Sequence, residues 1–184
     1  MRRDQQTGLS VHGAHGVHGA YGVRGMSDAQ ASTAIAQAVQ RALAAHADRP
    51  GALLPILHAI QHELGWVPRE VVPAVATALN LSRAEIAGVI SFYHDFRSEP
   101  PGRTLVKLCR AEACQAMGAD ALAAHVKARL GIDFHQTRAD GAVTLEPVYC
   151  LGNCACAPAV TINGRMYGRV DTAGFDRLVG GSES

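Results

Sequence analysis

Apolar residues in the first half of this chain recur at the spacing of amphipathic helices, and in the second half they gather into short β-compatible runs. From about Ala34, one face carries Ile35, Ala38, Val39, Ala42 and Leu43, until Arg49-Pro50-Gly51 ends it. Leu53, Ile56, Leu57, Ile60 and Leu64 repeat the spacing, with Pro55 tolerable in a first turn and Gly65 suited to the left-handed residue after the last. Pro68 can open a third helix with Val71, Val72, Val75 and Leu79 inward. Ser82-Arg-Ala-Glu85 then fits a capping box ahead of Ile86, Val89, Ile90 and Tyr93. The first half is predicted to be a helical bundle, with Trp66, Phe92 and Tyr93 as packing residues.

Ser98-Glu-Pro-Pro-Gly102 cannot continue a helix and marks the internal boundary. Beyond it, Thr104 to Leu108 reads as a strand that delivers Cys109, and Asp120 to Leu130 as a helix with Leu122, Val126 and Leu130 inward. A possible strand over Phe134 to Thr137 precedes one over Val143 to Tyr149, which delivers Cys150. Asn163-Gly164 predicts a hairpin between Ala159 to Ile162 and Met166 to Val170, and Asp171 or Thr172 can cap a closing helix. The expected fold is α+β: a helical bundle over 28–97, then an α/β domain with a small mixed sheet over 98–184. Residues 1–27, with His12, His15 and His18 among glycines, read as a disordered Gly/His-rich tail.

Composition narrows the function. The 184 residues are 48% hydrophobic with a formal charge of +1, which leaves neither a basic footprint for nucleic acid nor an acidic one. No run of eighteen apolar residues exists, so no membrane span is expected, and the start lacks the apolar core of a secretory signal. These features predict a cytoplasmic protein, and in that reducing compartment spaced cysteines more often bind metal than form disulfides.

The chemistry-bearing feature is Cys109-x4-Cys114, answered thirty-five residues later by Cys150-Leu-Gly-Asn-Cys154. If the strands before Cys109 and Cys150 are neighbours, their ends place two cysteine loops side by side. Gly118, Gly152, Ala111, Ala113 and Ala155 leave room for backbone amides to approach sulfur. The spacing favours an iron–sulfur site over zinc, whose knuckles are usually Cys-x-x-Cys, and disulfide or incidental cysteines remain open. Cys156 is the spare thiol. Arg110 and Arg165 default to the surface, His58, His62 and His94 to core-edge or interface positions, and no carboxylate pair suggests acid–base catalysis. No Gly-x-Gly-x-x-Gly fingerprint follows a predicted strand, so no nucleotide site is expected on this chain.

These residues, with Ala157-Pro158 after the second pair, resemble the thioredoxin-like 2Fe-2S subunit family. It includes the E subunit of respiratory complex I, its counterpart in NAD-linked hydrogenases, and the gamma subunit of NAD-dependent formate dehydrogenases. The resemblance covers about Leu53 to Val179, with Gly65-Trp66-Val67-Pro68 and Ser91-Phe92-Tyr93 supporting it outside the cysteines. Ser91-Phe-Tyr-His-Asp-Phe-Arg97 and Cys109-Arg-Ala-Glu-Ala-Cys114-Gln-Ala-Met-Gly118 most resemble the formate dehydrogenase gamma subunit. What the resemblance implies is a thioredoxin-like fold with one 2Fe-2S cluster on Cys109, Cys114, Cys150 and Cys154. It further implies a place beside a flavin subunit that binds FMN, NAD and another iron–sulfur cluster. In the formate enzyme, a subunit bearing molybdopterin and iron–sulfur clusters would complete the complex. This chain would relay electrons without catalytic residues of its own.

Overall fold

Helices form wherever the apolar spacing asks for them, and the caps set their ends. The computed structural model describes residues 27–180, so the Gly/His-rich stretch expected over 1–27 lies, apart from Ser27, outside the described residues. The order begins α1 (Asp28–His46), α2 (Leu53–Leu64), α3 (Val71–Leu79) and α4 (Arg83–Phe92). α1 starts well before its apolar stripe because Ser27 opens it, its amide donating to Gln30 Oε1 at 3.0 Å. Gly65 closes α2 at φ +89°, and Asn80 closes α3 at φ +52°. Ser82 and Glu85 form the expected reciprocal cap of α4.

α1 packs on α2 and α3, and α3 on α4. Ile56, Leu57, Ile60, Val71, Val75 and Ile86 are fully buried between them, each contributing about 1.5–3 kcal/mol relative to exposure. The aromatic expectation needs correction. Trp66 packs against this core, but Phe92 and Tyr93 are 74% and 43% exposed. α4 ends at Phe92 and Tyr93 turns extended, so the chain leaves the bundle before returning at Phe96, which is buried beside the His58 ring.

The second half contains β1 (Thr104–Cys109), α5 (Glu112–Ala116), α6 (Ala119–Leu130), β2 (Gln136–Thr137), β3 (Val143–Val148), β4 (Val160–Ile162), β5 (Arg165–Tyr167) and α7 (Thr172–Gly180). The sheet order is β2-β3-β1-β4-β5, with β1 parallel to β3 and every other pair antiparallel. The parallel pair needs a long crossover, which α6 supplies. Leu122 and Val126 of α6 and Phe175 of α7 cover Val106, Leu108, Leu145 and Val160 of the sheet. The predicted strand over Phe134 to Thr137 shortens to Gln136–Thr137, because Phe134 packs against the core instead. The hairpin forms as expected, with Asn163 at φ +49° and Gly164 at φ +80°.

Each apolar core is drawn from one side of Ser98–Gly102. The stretch between them is pinned at both ends. Gln61, only 5% exposed, donates from Nε2 to Asp95 O at 2.7 Å and accepts the Arg97 amide at Oε1, also at 2.7 Å. On the sheet side, the Gly102 amide donates to Thr144 Oγ1 at 2.6 Å, and a Cβ at Gly102 would lie 2.7–2.9 Å from the Val143 backbone. Lys107 of β1 reaches back to Asp95 Oδ1 at 2.7 Å. None of the described helices is long and apolar enough to cross a membrane.

Candidate metal centre

The parallel register brings the cysteine loops together. Cys109 is the last residue of β1 and pairs with Val148, the last of β3, so both strands end at the same edge. The Cys109 amide donates to Ala159 O at 3.1 Å and the Arg110 amide to Val148 O at 2.7 Å, which holds the first loop between β3 and the start of β4. α5 then carries Cys114 inward, and both Cys109 and Cys114 are 2% exposed. Beyond β3, Cys150 and Cys154 are exposed, and a short 3-10 turn runs from Cys154 to Cys156. Cys150 is held at φ +135°, a conformation that costs a residue with a Cβ about 1–3 kcal/mol and marks functional loops.

The thiols are arranged as two pairs. Cys150 Sγ and Cys154 Sγ are 3.8 Å apart, and no disulfide joins any of the five cysteines. Burial pushes the Cys114 thiol up; an amide hydrogen bond from Ala159 opposes the rise, and the sulfurs of Cys109 and Cys154 add to it. The Cys154 thiol is raised by its hydrogen bond with Cys150 and that sulfur's charge, with a further contribution from Cys109. Thus each pair feels the other. Four thiolates so close repel one another, and a cationic centre that displaces their protons would relieve this.

The donor set fits a two-iron cluster better than a single ion. A mononuclear zinc site gathers four donors round one point and usually takes them from Cys-x-x-Cys knuckles, a spacing that neither Cys109–Cys114 nor Cys150–Cys154 has. Two pairs of thiols within electrostatic reach of each other suit a group with two metal atoms. Backbone amides do address sulfur: Gly152 donates to Cys150 Sγ at 3.3 Å, and Ala159 to the Cys114 sulfur. Gly118 does not serve this way, since its amide donates to Gln115 O at 3.0 Å while its φ of +91° starts α6.

Neighbouring residues sharpen the picture. Arg110, expected at the surface, is partly buried; it pairs with Asp120 Oδ1 at 2.7 Å and lies 5.5 Å from the Phe134 ring centre. Arg165 stays exposed over Tyr167. Tyr149 and Met117 are 78% and 64% exposed, and each is close in sequence to a cysteine. A groove of about 540 Å³ runs beside Cys154, lined by Met117, Leu122, Ala155, Pro158, Arg169 and Thr172. Ala159 escapes sequence reasoning, since an alanine entering a strand carries no chemical signal.

A five-stranded mixed sheet with two cysteine loops at the ends of its central parallel strands defines a thioredoxin-like iron–sulfur class. The chain belongs to the thioredoxin-like [2Fe-2S] ferredoxin family, whose model matches residues 39–182. It is 35% identical over 132 residues to the E subunit of NADH-quinone oxidoreductase from Pseudomonas aeruginosa, covering 72% of this chain and 80% of that protein. Against the E 2 subunit of the same enzyme from Rhizobium meliloti, identity is 36%, covering 77% and 84%. The HndA subunit of the NADP-reducing hydrogenase from Solidesulfovibrio fructosivorans is 34% identical, covering 66% and 71%. Among solved structures, an NAD+-reducing [NiFe]-hydrogenase in the H2-reduced state superposes with a TM-score of 0.59 at 33% identity. The match takes in 69% of this chain and about a fifth (21%) of that one.

Proposed function

We propose that this chain is an electron-transfer subunit of a cytoplasmic NAD-linked oxidoreductase complex, holding one 2Fe-2S cluster on Cys109, Cys114, Cys150 and Cys154. The observation that carries the reading is the convergence of two thiol pairs at the shared edge of β1 and β3. Such a cluster takes up one electron at a time, so a flavin is needed between it and the hydride chemistry of NAD. Cys109 and Cys114 anchor it from the interior, Cys150 and Cys154 close it from the surface, and the Gly152 and Ala159 amides disperse sulfur charge. Exposed Tyr149 and Met117 would contact the partner subunit that carries flavin and NAD.

The relatives named above support a complex of the NADH-quinone oxidoreductase or NAD-linked hydrogenase kind. The narrower formate dehydrogenase reading, with its molybdopterin-bearing partner, rests on the resemblance of 91–97 and 109–118 alone, and none of those relatives is a formate dehydrogenase. Purification without oxygen tests the cluster: the expected protein is coloured, contains iron and sulfide in equal amounts, and gives the EPR signal of a one-electron-reduced cluster with dithionite. Stoichiometric zinc with no reducible chromophore would overturn it. Co-purifying subunits identify the complex, with membrane subunits marking the quinone-linked enzyme, nickel and iron a hydrogenase, and molybdenum or tungsten a formate dehydrogenase.

A further inference from the structure

We propose that Gly168 is a positioning residue for the cluster ligand Cys154, acting through the turn from Asn153 to Cys156; the proposal rests on the cysteine-held cluster above. Gly168 follows β5, and a Cβ built on it would stand 2.7 Å from Cys156 Cβ, 2.8 Å from Asn153 Nδ2 and 2.8 Å from Cys156 O. Carbon atoms prefer separations of about 3.5–4.0 Å, so something must shift. Its φ lies outside the left-handed region, so space alone requires glycine here.

The next residues tie the two segments together. Arg169 donates its amide to Cys156 O at 2.7 Å, and Val170 to Pro158 O at 3.1 Å. Arg169 is held at φ +55° in doing so, a left-handed conformation that a residue with a Cβ rarely adopts.

Anchoring decides which side yields to a methyl group at 168. Tyr167 is paired to Val160 in the sheet, Val170 is 4% exposed, and Phe175 on α7 is fully buried. Apart from the Arg169 amide on Cys156 O, the cysteine turn is held by local bonds, Cys156 N to Asn153 O at 3.0 Å and Ala157 N to Cys154 O at 3.3 Å, and Cys154 is exposed. The turn therefore moves, and the Cys154 sulfur moves with it.

The test compares wild type with Gly168→Ala and, as control, Gly88→Ala, a helical glycine with open space around it. Far-UV circular dichroism checks folding. Visible circular dichroism, EPR of the dithionite-reduced cluster, and the rate at which an iron chelator strips it report the ligand geometry. Gly168→Ala is expected to shift both spectra and lose iron on the order of ten-fold faster, the size of effect seen for residues supporting metal ligands, while Gly88→Ala matches wild type. Gly168→Ala indistinguishable from wild type in all three readouts overturns the proposal. If Gly168→Ala does not fold, the double variant Gly168→Ala/Cys156→Gly, which removes the nearest obstructing atom, must recover fold and spectrum; failure to recover overturns it as well. A wild-type protein that takes up no iron instead overturns the cluster reading on which this one stands.

Discussion

Each cysteine at the centre has a different situation, and substitution should resolve them. Cys109→Ser and Cys114→Ser remove buried sulfurs, Cys150→Ser and Cys154→Ser exposed ones, and all four are expected to lower iron affinity at least about ten-fold, the loss that even an outer-shell change can cause. Cys156→Ser keeps the Cβ that packs at Gly168 and is expected to retain full iron content. Iron analysis and visible absorbance of the five variants decide this, and loss of the cluster in Cys156→Ser would reassign the ligands. At this scale the thiols are legible from their spacing, but their environment is not. Nothing in the sequence distinguishes buried Cys109 from exposed Cys154, and Phe92 and Tyr93 read as core although the chain turns them outward.

Helix ends are the most readable elements, because their signals are local. Ser82 Oγ accepts the Glu85 amide at 3.2 Å, and Glu85 Oε2 accepts the Ser82 amide at 2.8 Å. Ser82→Ala is expected to cost about 1 kcal/mol in chemical denaturation. The Ser82 amide, helped by its hydroxyl, holds the Glu85 carboxyl below its usual value of 4.5. A depressed folded-state value stabilises the fold above the unfolded value and is lost as pH falls through the folded one. The stability difference between wild type and Glu85→Gln should therefore be present at pH 7 and shrink in acid below about 4.5. A difference that does not change with pH would rule out the carboxylate as its source. The same Ser-x-x-Gln signal at Ser27 is harder to see because the residues after it are small and polar, without an apolar stripe to announce a helix. β2 is short for a comparable reason, since Phe134 satisfies the strand pattern but is drawn into the core by packing.

Across the whole molecule, the two cores are joined by a short pinned connection, and we propose that 28–97 and 98–184 are separate domains. A fragment over 98–184 is then expected to take up as much iron per chain as the full protein, measured by iron content and visible spectrum. A fragment that stays soluble but binds no iron would show that the helical half is needed to shape the site. Gln61 is the counterpart on the other side: it holds two backbone groups near the connection, and Gln61→Ala is expected to cost about 1–3 kcal/mol by leaving them unpaired. Thermal and denaturant unfolding measure that cost, and a change within error would remove Gln61 as a clamp.

The sequence by itself determined the helices other than α5 and the start of α1, the caps at Gly65 and Ser82, the Asn163-Gly164 hairpin and the presence of two cysteine pairs, because spacing, capping and turn chemistry act between residues a few positions apart. Only the tertiary structure decided that β1 and β3 are parallel neighbours ending together. It also decided which thiols are buried, that Ala159 holds the first cysteine loop through Cys109 and Cys114, and that Gly168 stands against the Cys154 turn. Those are contacts between residues far apart in the chain, set by how sheet and helices bury their apolar faces, and no local pattern encodes them.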